Sequence, residues 1–366
     1  MSFQVAIIGG GWYGCHIASS LLALGFSVEL FEQSDRLLSE ASGNNQFRLH
    51  LGFHYARHHN TRLQSRDGYF RFMERYSDLS KAVLQNVYAV PQTDSLIDFQ
   101  TYRMIMTSTG LDFREGESVP IEISNIEGFL FAPERVLLIE KAREYFRKQL
   151  EGHLNLSSKV KEIKDLGEHV TVNGRRFDFV IDATWGHFSS PGMDVFYEPT
   201  MLLYFEGPAD FPAITLVDGP LCSIYPTEEP EIFTLSSVPH TPLGRYATAG
   251  EARRGRDSVT NEVVIEKVEQ MTRQVSQYVP EFRDGFRFMG PQLSIKTKPI
   301  GAYDDRSCHV WKRGRIFSVL SGKIDTVFFA VERILSFLEA GNDLRAPEVP
   351  SSLRGDILRQ RAVIGL

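Results

Sequence analysis

Between Val5 and Glu32 the chain runs strand, glycine turn, helix, strand and acid without interruption, and few folds accommodate that order. Val5 to Ile8 is a short apolar run, and Gly9, Gly11 and Gly14 follow in G-x-G-x-x-G spacing. Ile17, Ala18, Leu21, Leu22 and Leu24 then recur with a helical period, Gly25 closes the helix, and Val28 to Phe31 reads as a second strand. Gly9 permits a tight turn, Gly11 lets the backbone approach a pyrophosphate with no Cβ in the way, and Gly14 allows close packing of helix on strand. The helix start offers N–H groups to a diphosphate. Glu32 stands 18 residues beyond Gly14, where a carboxylate accepts from an adenosine ribose and repels a 2′-phosphate. The unit predicts a dinucleotide-binding βαβ element, and by itself leaves FAD and NAD both open.

The remaining chain alternates in character. Residues 36–60 read as a polar and aromatic loop, followed by a helix from about Arg62 to Leu84. Gly128 to Ala132 reads as a strand, and Pro133 fits the start of a helix from Glu134 to about Leu150. Val170–Val172 and Phe177–Ile181 flank Asn173-Gly174, a hairpin signal. Residues 200–250 are strand-like, an amphipathic helix is expected from Glu262 to Tyr278, and Arg315 to Leu320 is an apolar strand leading into a helix from about Lys323 to Ala340. This interleaving predicts an α/β chain in which a nucleotide domain of separated segments holds an inserted, mostly antiparallel β-rich domain.

At 366 residues the chain is long enough for two such domains. A net charge of −6 gives no electrostatic reason to expect nucleic acid or an anionic membrane as partner. The odd set Cys15, Cys222 and Cys308, with no CxxC or Cys/His metal spacing, argues against a disulfide framework and a structural zinc. The first apolar run is too short for a signal segment, and no stretch approaches the roughly 20 apolar residues of a membrane span. A cytoplasmic protein is expected.

With these features in view, the chain resembles the D-amino-acid-oxidase-like (DAO) superfamily of FAD-dependent oxidoreductases. The resemblance rests on Gly9-x-Gly11-x-x-Gly14 with Glu32, Ala41-Ser42-Gly43-Asn44-Asn45-Gln46-Phe47-Arg48-Leu49-His50, Val180-Ile-Asp-Ala-Thr-Trp-Gly186 and Ser321-Gly322-Lys323. It implies a Rossmann-type FAD-binding domain (1–50, 132–190 and 296–342), an α+β substrate domain (51–131 and 191–295), and a tail at 343–366. It further implies that Ser42, Asn45 and Gln46 lie near the pyrophosphate and flavin, and that Val160 approaches the adenine. Ala183, Thr184, Trp185 and Gly186 would close over the dinucleotide, and Gly322, Lys323 and Ile324 would meet the flavin. Two departures bear on the substrate. Ser-Gly-Lys-Ile-Asp stands where amino-acid oxidases often carry a glycine-rich turn, and His50-x-Gly52-x-His54-Tyr55 is similar to the His-x-Gly-x-Tyr-Tyr of flavin-dependent 2-hydroxyglutarate dehydrogenases. The mid-chain Asp-Gly element of aromatic-hydroxylase flavoproteins is not found in a plausible context, nor is their late Gly-Asp turn.

Five residues are candidates for the chemistry. Arg48 suits bidentate binding of a carboxylate. Lys323, read as lying in a helix first turn where a cation is normally disfavoured, suits a flavin anion or substrate carboxylate, the plain alternative being a solvent-facing lysine neutralised by Asp325. His50, His54 and Tyr55 suit the substrate shell, a neutral imidazole taking a proton while hydride leaves carbon for flavin N5. Gly52 interrupts the His50, His54, His58 and His59 series, so no metal is expected. Tyr225 and the run Arg253-Arg254-Gly-Arg256, read as a solvated loop, are weaker candidates. The expected reaction is oxidation of a C–N bond of a small amino acid or amine, with O₂ or another acceptor reoxidising the flavin, in a monomer or homodimer. Oxidation of a 2-hydroxy acid, and a flavoprotein with structural FAD or a carrier-bound substrate, are the alternatives.

Overall fold

The unbroken apolar run of the first strand, Val5 to Ile8, requires cover on both of its faces, and the fold provides it. In a computed structural model that describes residues 3–116, 118–301 and 305–341, Gln4–Ile8 lies inside a six-stranded sheet. The order is His309–Arg313, Ile316–Leu320, Phe179–Asp182, Gln4–Ile8, Ser27–Phe31, Leu154–Asn155. Every neighbouring pair is parallel except the His309–Arg313/Ile316–Leu320 hairpin. Val5 and Ile7 pack with helices Trp12–Ala23 and Val327–Ala340, whereas Ala6 and Ile8 face Val170, Val172 and Phe177 of a three-stranded sheet. Successive side chains thus enter opposite cores, as a doubly covered parallel strand requires.

A second, seven-stranded sheet runs Arg287–Pro299, Val195–Glu206, Ile232–Ser237, Cys222–Pro226, Ala213–Leu216, Asn86–Pro91, Ile126–Phe131. It is antiparallel apart from the Ala213–Leu216/Asn86–Pro91 pair. Helix Asn261–Val275 covers one face, burying Met271 and Val275. A small sheet of Arg48–Leu49, Arg135–Leu137 and Ser80–Ala82 lies between, and it pairs Arg48 with Val136. The α/β architecture with a mostly antiparallel second sheet is the one expected. Among the described residues no helix is long and apolar enough to cross a membrane.

Several local expectations need correction. The helix expected from Glu134 starts at Ile139, because Arg135–Leu137 pairs with two other strands first. The helix expected to reach Leu84 spans His59–Tyr76, and the chain then turns into strand Ser80–Ala82. Asn173 and Gly174 do form the hairpin turn, with φ of 48° and 83°, but their partner strands are Val170–Val172 and Arg175–Phe177. Phe179–Asp182 belongs instead to the parallel sheet. The last helix begins at Val327, so Lys323 precedes it rather than occupying its first turn. The run Arg253–Arg256 sits within helix Ala249–Asp257, started by a Thr248/Glu251 capping box. The expected tail at 343–366 lies outside the described residues.

The glycine turn is held by contact as much as by conformation. A Cβ on Gly14 would stand 1.9 Å from the Gly9 carbonyl oxygen, which belongs to backbone that has no free direction to move. Gly14→Ala is therefore expected to destabilise the protein by about 1–3 kcal/mol or more, read as a lower unfolding midpoint in denaturant. An unchanged midpoint would contradict this close packing.

Candidate active site

A single cavity of about 740 Å³ runs from the carboxyl ends of the parallel strands to the second sheet, within the usual 300–1,000 Å³ of a ligand site. At the first end lie Gly9, Gly11, Glu32, Ser42 and Val160. Glu32 is 7% exposed, and its carboxylate accepts from the Gly10 N–H at 2.6 Å and the Ser34 N–H at 2.8 Å. It thereby ties the glycine turn to the end of the second strand while still facing the cavity. Ser42 Oγ accepts from the Trp12 N–H at 3.1 Å, and a Cβ on Gly11 would lie 2.8 Å from that hydroxyl. Gly11 is thus needed by the Ser42 loop as well as by any ligand.

The other residues assigned to the dinucleotide divide into lining and bracing groups. Ala183, Thr184, Trp185, Asn45, Gln46, Gly322, Lys323 and Ile324 line the cavity, whereas Gly14 and Gly186 do not. Gly186 supports the turn from behind, its carbonyl accepting from the Tyr197 hydroxyl. Asn45 spends its amide on the carbonyls of Ala41 and Ser42, and Gln46 exchanges hydrogen bonds with Ser223 of the second sheet. Both amides brace the loop. Glu32 in the ribose position, a glycine cradle at a helix start and unpartnered cations at the far end together fit an extended dinucleotide with an anionic or electron-accepting head. Gly9, Gly11, Ser42, Val160 and Ala183–Trp185 are the residues that would hold FAD.

At the far end Arg48 is 6% exposed. Its Nη1 donates to Thr215 Oγ1 at 2.7 Å and to Tyr88 Oη at 3.3 Å, and the guanidinium carbon lies 4.0 Å from the Tyr225 ring centroid. Nε and Nη2 are buried with no acceptor in the protein. Lys323 Nζ is likewise buried and unpartnered, 4.4 Å over the Tyr55 ring. This corrects the alternative of a solvent-facing lysine, since Lys323 and Asp325 are 6% and 2% exposed. Burial, with help against it from Lys323, pushes the Asp325 carboxyl up to about 6.

His50 and His54 approach one another, with ring centroids 5.9 Å apart, and both contact Tyr55. Burial first, then Arg48, Lys323, Arg306 and Lys296, drives His54 down to about 3. Burial, Lys323, Arg48 and His54 hold His50 well below the usual histidine range. Both rings are neutral near pH 7, the state a proton acceptor needs. His58 instead caps a helix through the Thr61 N–H, and His59 contacts Arg62.

Several contributors went unread in the sequence. Burial, Lys298 and Arg306 lower Lys296 to about 8, and both Lys296 and Arg306 line the cavity. Glu134, only 1% exposed, lies 3.8 Å from His50 Nδ1. Tyr88 and Thr215 come from separate strands of the second sheet. The only signal available for them was alternation within apolar strands. Tyr225, read as a weak candidate, forms the plate beneath Arg48. Arg253, read as part of a solvated loop, lines the cavity and contacts His187 Nδ1 at 3.2 Å, while Arg256 pairs with Glu40 at 3.1 Å.

The depressed histidines tie stability to pH with a definite sign. The unfolded state takes up a proton at His54 as pH falls below about 6.5, whereas the folded state resists until about 3. Stability therefore falls with pH across that window, by up to ~1.4 kcal/mol per pH unit for this one group. His54→Asn is expected to flatten the curve between pH 6 and 4 (a window chosen inside the limits just given), measured by denaturant midpoints. An unchanged slope would place a charged His54 in the folded protein.

Residues 4–292 match the profile of the DAO family, described as FAD dependent oxidoreductase. The chain is 60% identical over 336 residues to the FAD-dependent monooxygenase FPY4 of Fusarium mangiferae, covering 92% of this chain and 91% of that protein. It is 26% identical over 369 residues to the FAD-dependent monooxygenase kojA of Aspergillus flavus, covering 92% and 85%. Its fold is similar to that of the L-α-glycerophosphate oxidase from Mycoplasma pneumoniae solved with FAD bound, with a TM-score of 0.71, 12% identity and coverage of 93% and 95%.

Proposed function

The chain belongs to the DAO family of FAD-dependent oxidoreductases, and from that membership we propose that it oxidises a small polar substrate held by an anionic oxygen group on Arg48. The observation that carries this reading is the pair of buried Arg48 donors, Nε and Nη2, with nothing in the protein to accept from them. A carboxylate supplies two acceptors in the geometry of a guanidinium fork. When bound, FAD would supply the two-electron acceptor. Lys323 and Lys296 add positive charge beside the anion, and His50 or His54, being neutral, takes the proton released at the reacting carbon's heteroatom.

Electrostatics support the C–OH reading over the C–N reading. The acids lining this end are engaged, Asp218 with Arg57 and Glu198 with Lys298. Among the described residues that line this end, no carboxylate without a partner is left to receive an ammonium, whereas a hydroxyl needs only a neutral imidazole. We therefore favour a 2-hydroxy acid or an enolised hydroxy-carbonyl compound over an amino acid. The name of the 60%-identical relative, a FAD-dependent monooxygenase, supports a second reading, in which one atom of O₂ enters the product and the other leaves as water, the two electrons coming from a nicotinamide reductant that reduces the flavin.

Anaerobic mixing of the FAD-loaded protein with panels of hydroxy acids and amino acids separates these classes. Hydroxy acids are expected to bleach the flavin and amino acids to leave it yellow. Bleaching by amino acids alone would overturn the preference, and no bleaching by either panel would leave the oxygen-transfer reading, tested by ¹⁸O₂ incorporation into product. Arg48→Ala is expected to raise KM about 10- to 100-fold, as loss of a charged hydrogen-bond pair implies. Anion affinity should fall as pH rises through about 8, where Lys296 loses its proton, and Lys296→Met should remove that fall. A KM independent of pH across that range would exclude Lys296 from the anion's surroundings.

A further inference from the structure

Glu134 has no role in the reading above, yet it is the most deeply held charge-bearing group behind the site. It is 1% exposed and sits just before strand Arg135–Leu137, the strand that pairs with Arg48–Leu49. Its Oε1 accepts from the Leu51 N–H at 2.8 Å and lies 3.8 Å from His50 Nδ1. Its Oε2 accepts from the Tyr88 hydroxyl at 2.8 Å and from Asn86 Nδ2 at 3.3 Å.

We propose that Glu134 is a positioning residue that aims the Arg48 guanidinium through Tyr88 and holds the His50 loop through Leu51. The direction of each hydrogen bond follows from the donor inventory. A carboxylate accepts only, so the one proton of Tyr88 points at Glu134 and its oxygen lone pair is left facing Arg48. Arg48 Nη1 then has two fixed acceptors, Tyr88 Oη and Thr215 Oγ1, and the Tyr225 ring limits its tilt. Those three contacts leave Nε and Nη2 as the donors without protein acceptors. The second carboxylate oxygen pins the backbone one residue after His50. One buried acid thus sets the bearing of the anion-binding group and of its neighbouring imidazole. A glutamine in its place would present an NH₂ toward either Tyr88 or Leu51, both of which are already donors, and one of the two arms would be lost.

This inference rests on the anion-binding reading of Arg48, and the test keeps the two apart. FAD-loaded wild type, Glu134→Gln, Tyr88→Phe and the double variant are titrated with benzoate, read through the flavin absorbance. Each single variant is expected to weaken benzoate about tenfold, and the double variant no more than the weaker single, because both act along one path. Unchanged affinity in both singles, or an additive loss of about a hundredfold in the double, would overturn the proposal. Tyr88→Phe carries the comparison alone should Glu134→Gln fail to fold. If wild type does not bind benzoate, the anion reading fails, and the Arg48 Nε–H resonance in ¹⁵N-labelled protein decides the positioning role. A sharp, slowly exchanging signal in wild type that is lost in Tyr88→Phe supports it, and a signal unchanged by that substitution overturns it.

Discussion

Two N–H groups of Arg48, shut away from water with nothing to donate to, set the terms for the rest of the site. A buried donor left unmade costs about 1–3 kcal/mol, more when it is charged. The protein offsets part of that cost with Thr215, Tyr88 and the Tyr225 ring, and leaves Nε and Nη2 without protein acceptors on a residue that lines the cavity. Burial first, and then the same cation with Lys323, keeps His50 and His54 neutral, so the charge that would attract an anion stands beside two uncharged imidazoles.

The fold explains why this arrangement lies at one end of a dinucleotide cavity. The parallel sheet presents the ends of Gln4–Ile8 and Ser27–Phe31 to one side, with Glu32 linking the glycine turn to the second strand. The small sheet carries Arg48 out of the loop that follows Ser42 and fixes it against Val136. The seven-stranded sheet then supplies Tyr88, Thr215, Tyr225 and Lys296 from four different strands. The groups that surround Arg48 therefore meet between the sheets, where neither sheet alone provides the full set.

What could be read in the sequence was local. The glycine turn and Glu32 lie within one βαβ unit, and Arg48, His50, His54 and Tyr55 within a single loop, so spacing alone brought them forward. Glu134 was hidden by a local signal that tertiary pairing overrode: Pro133 favours a helix start, but Arg135–Leu137 gains two strand partners before the helix begins. Tyr88, Thr215 and Lys296 sit in strands whose alternation announces burial and says nothing about which far segment they meet. Arg253 was misplaced because the Thr248/Glu251 capping box that starts its helix went unread.

The 60%- and 26%-identical relatives are named FAD-dependent monooxygenases, and the cavity of this chain sets Arg48, with two unpartnered donors, among the same lining residues as His50 and His54. The measurement that bears most directly on this account is a crystal structure of the FAD-loaded protein with lactate bound. The account predicts a carboxylate oxygen within about 3.2 Å of Arg48 Nη2 or Nε, with the hydroxyl turned toward His50 or His54. Lactate bound elsewhere, or Arg48 donors occupied only by water in its presence, would contradict it.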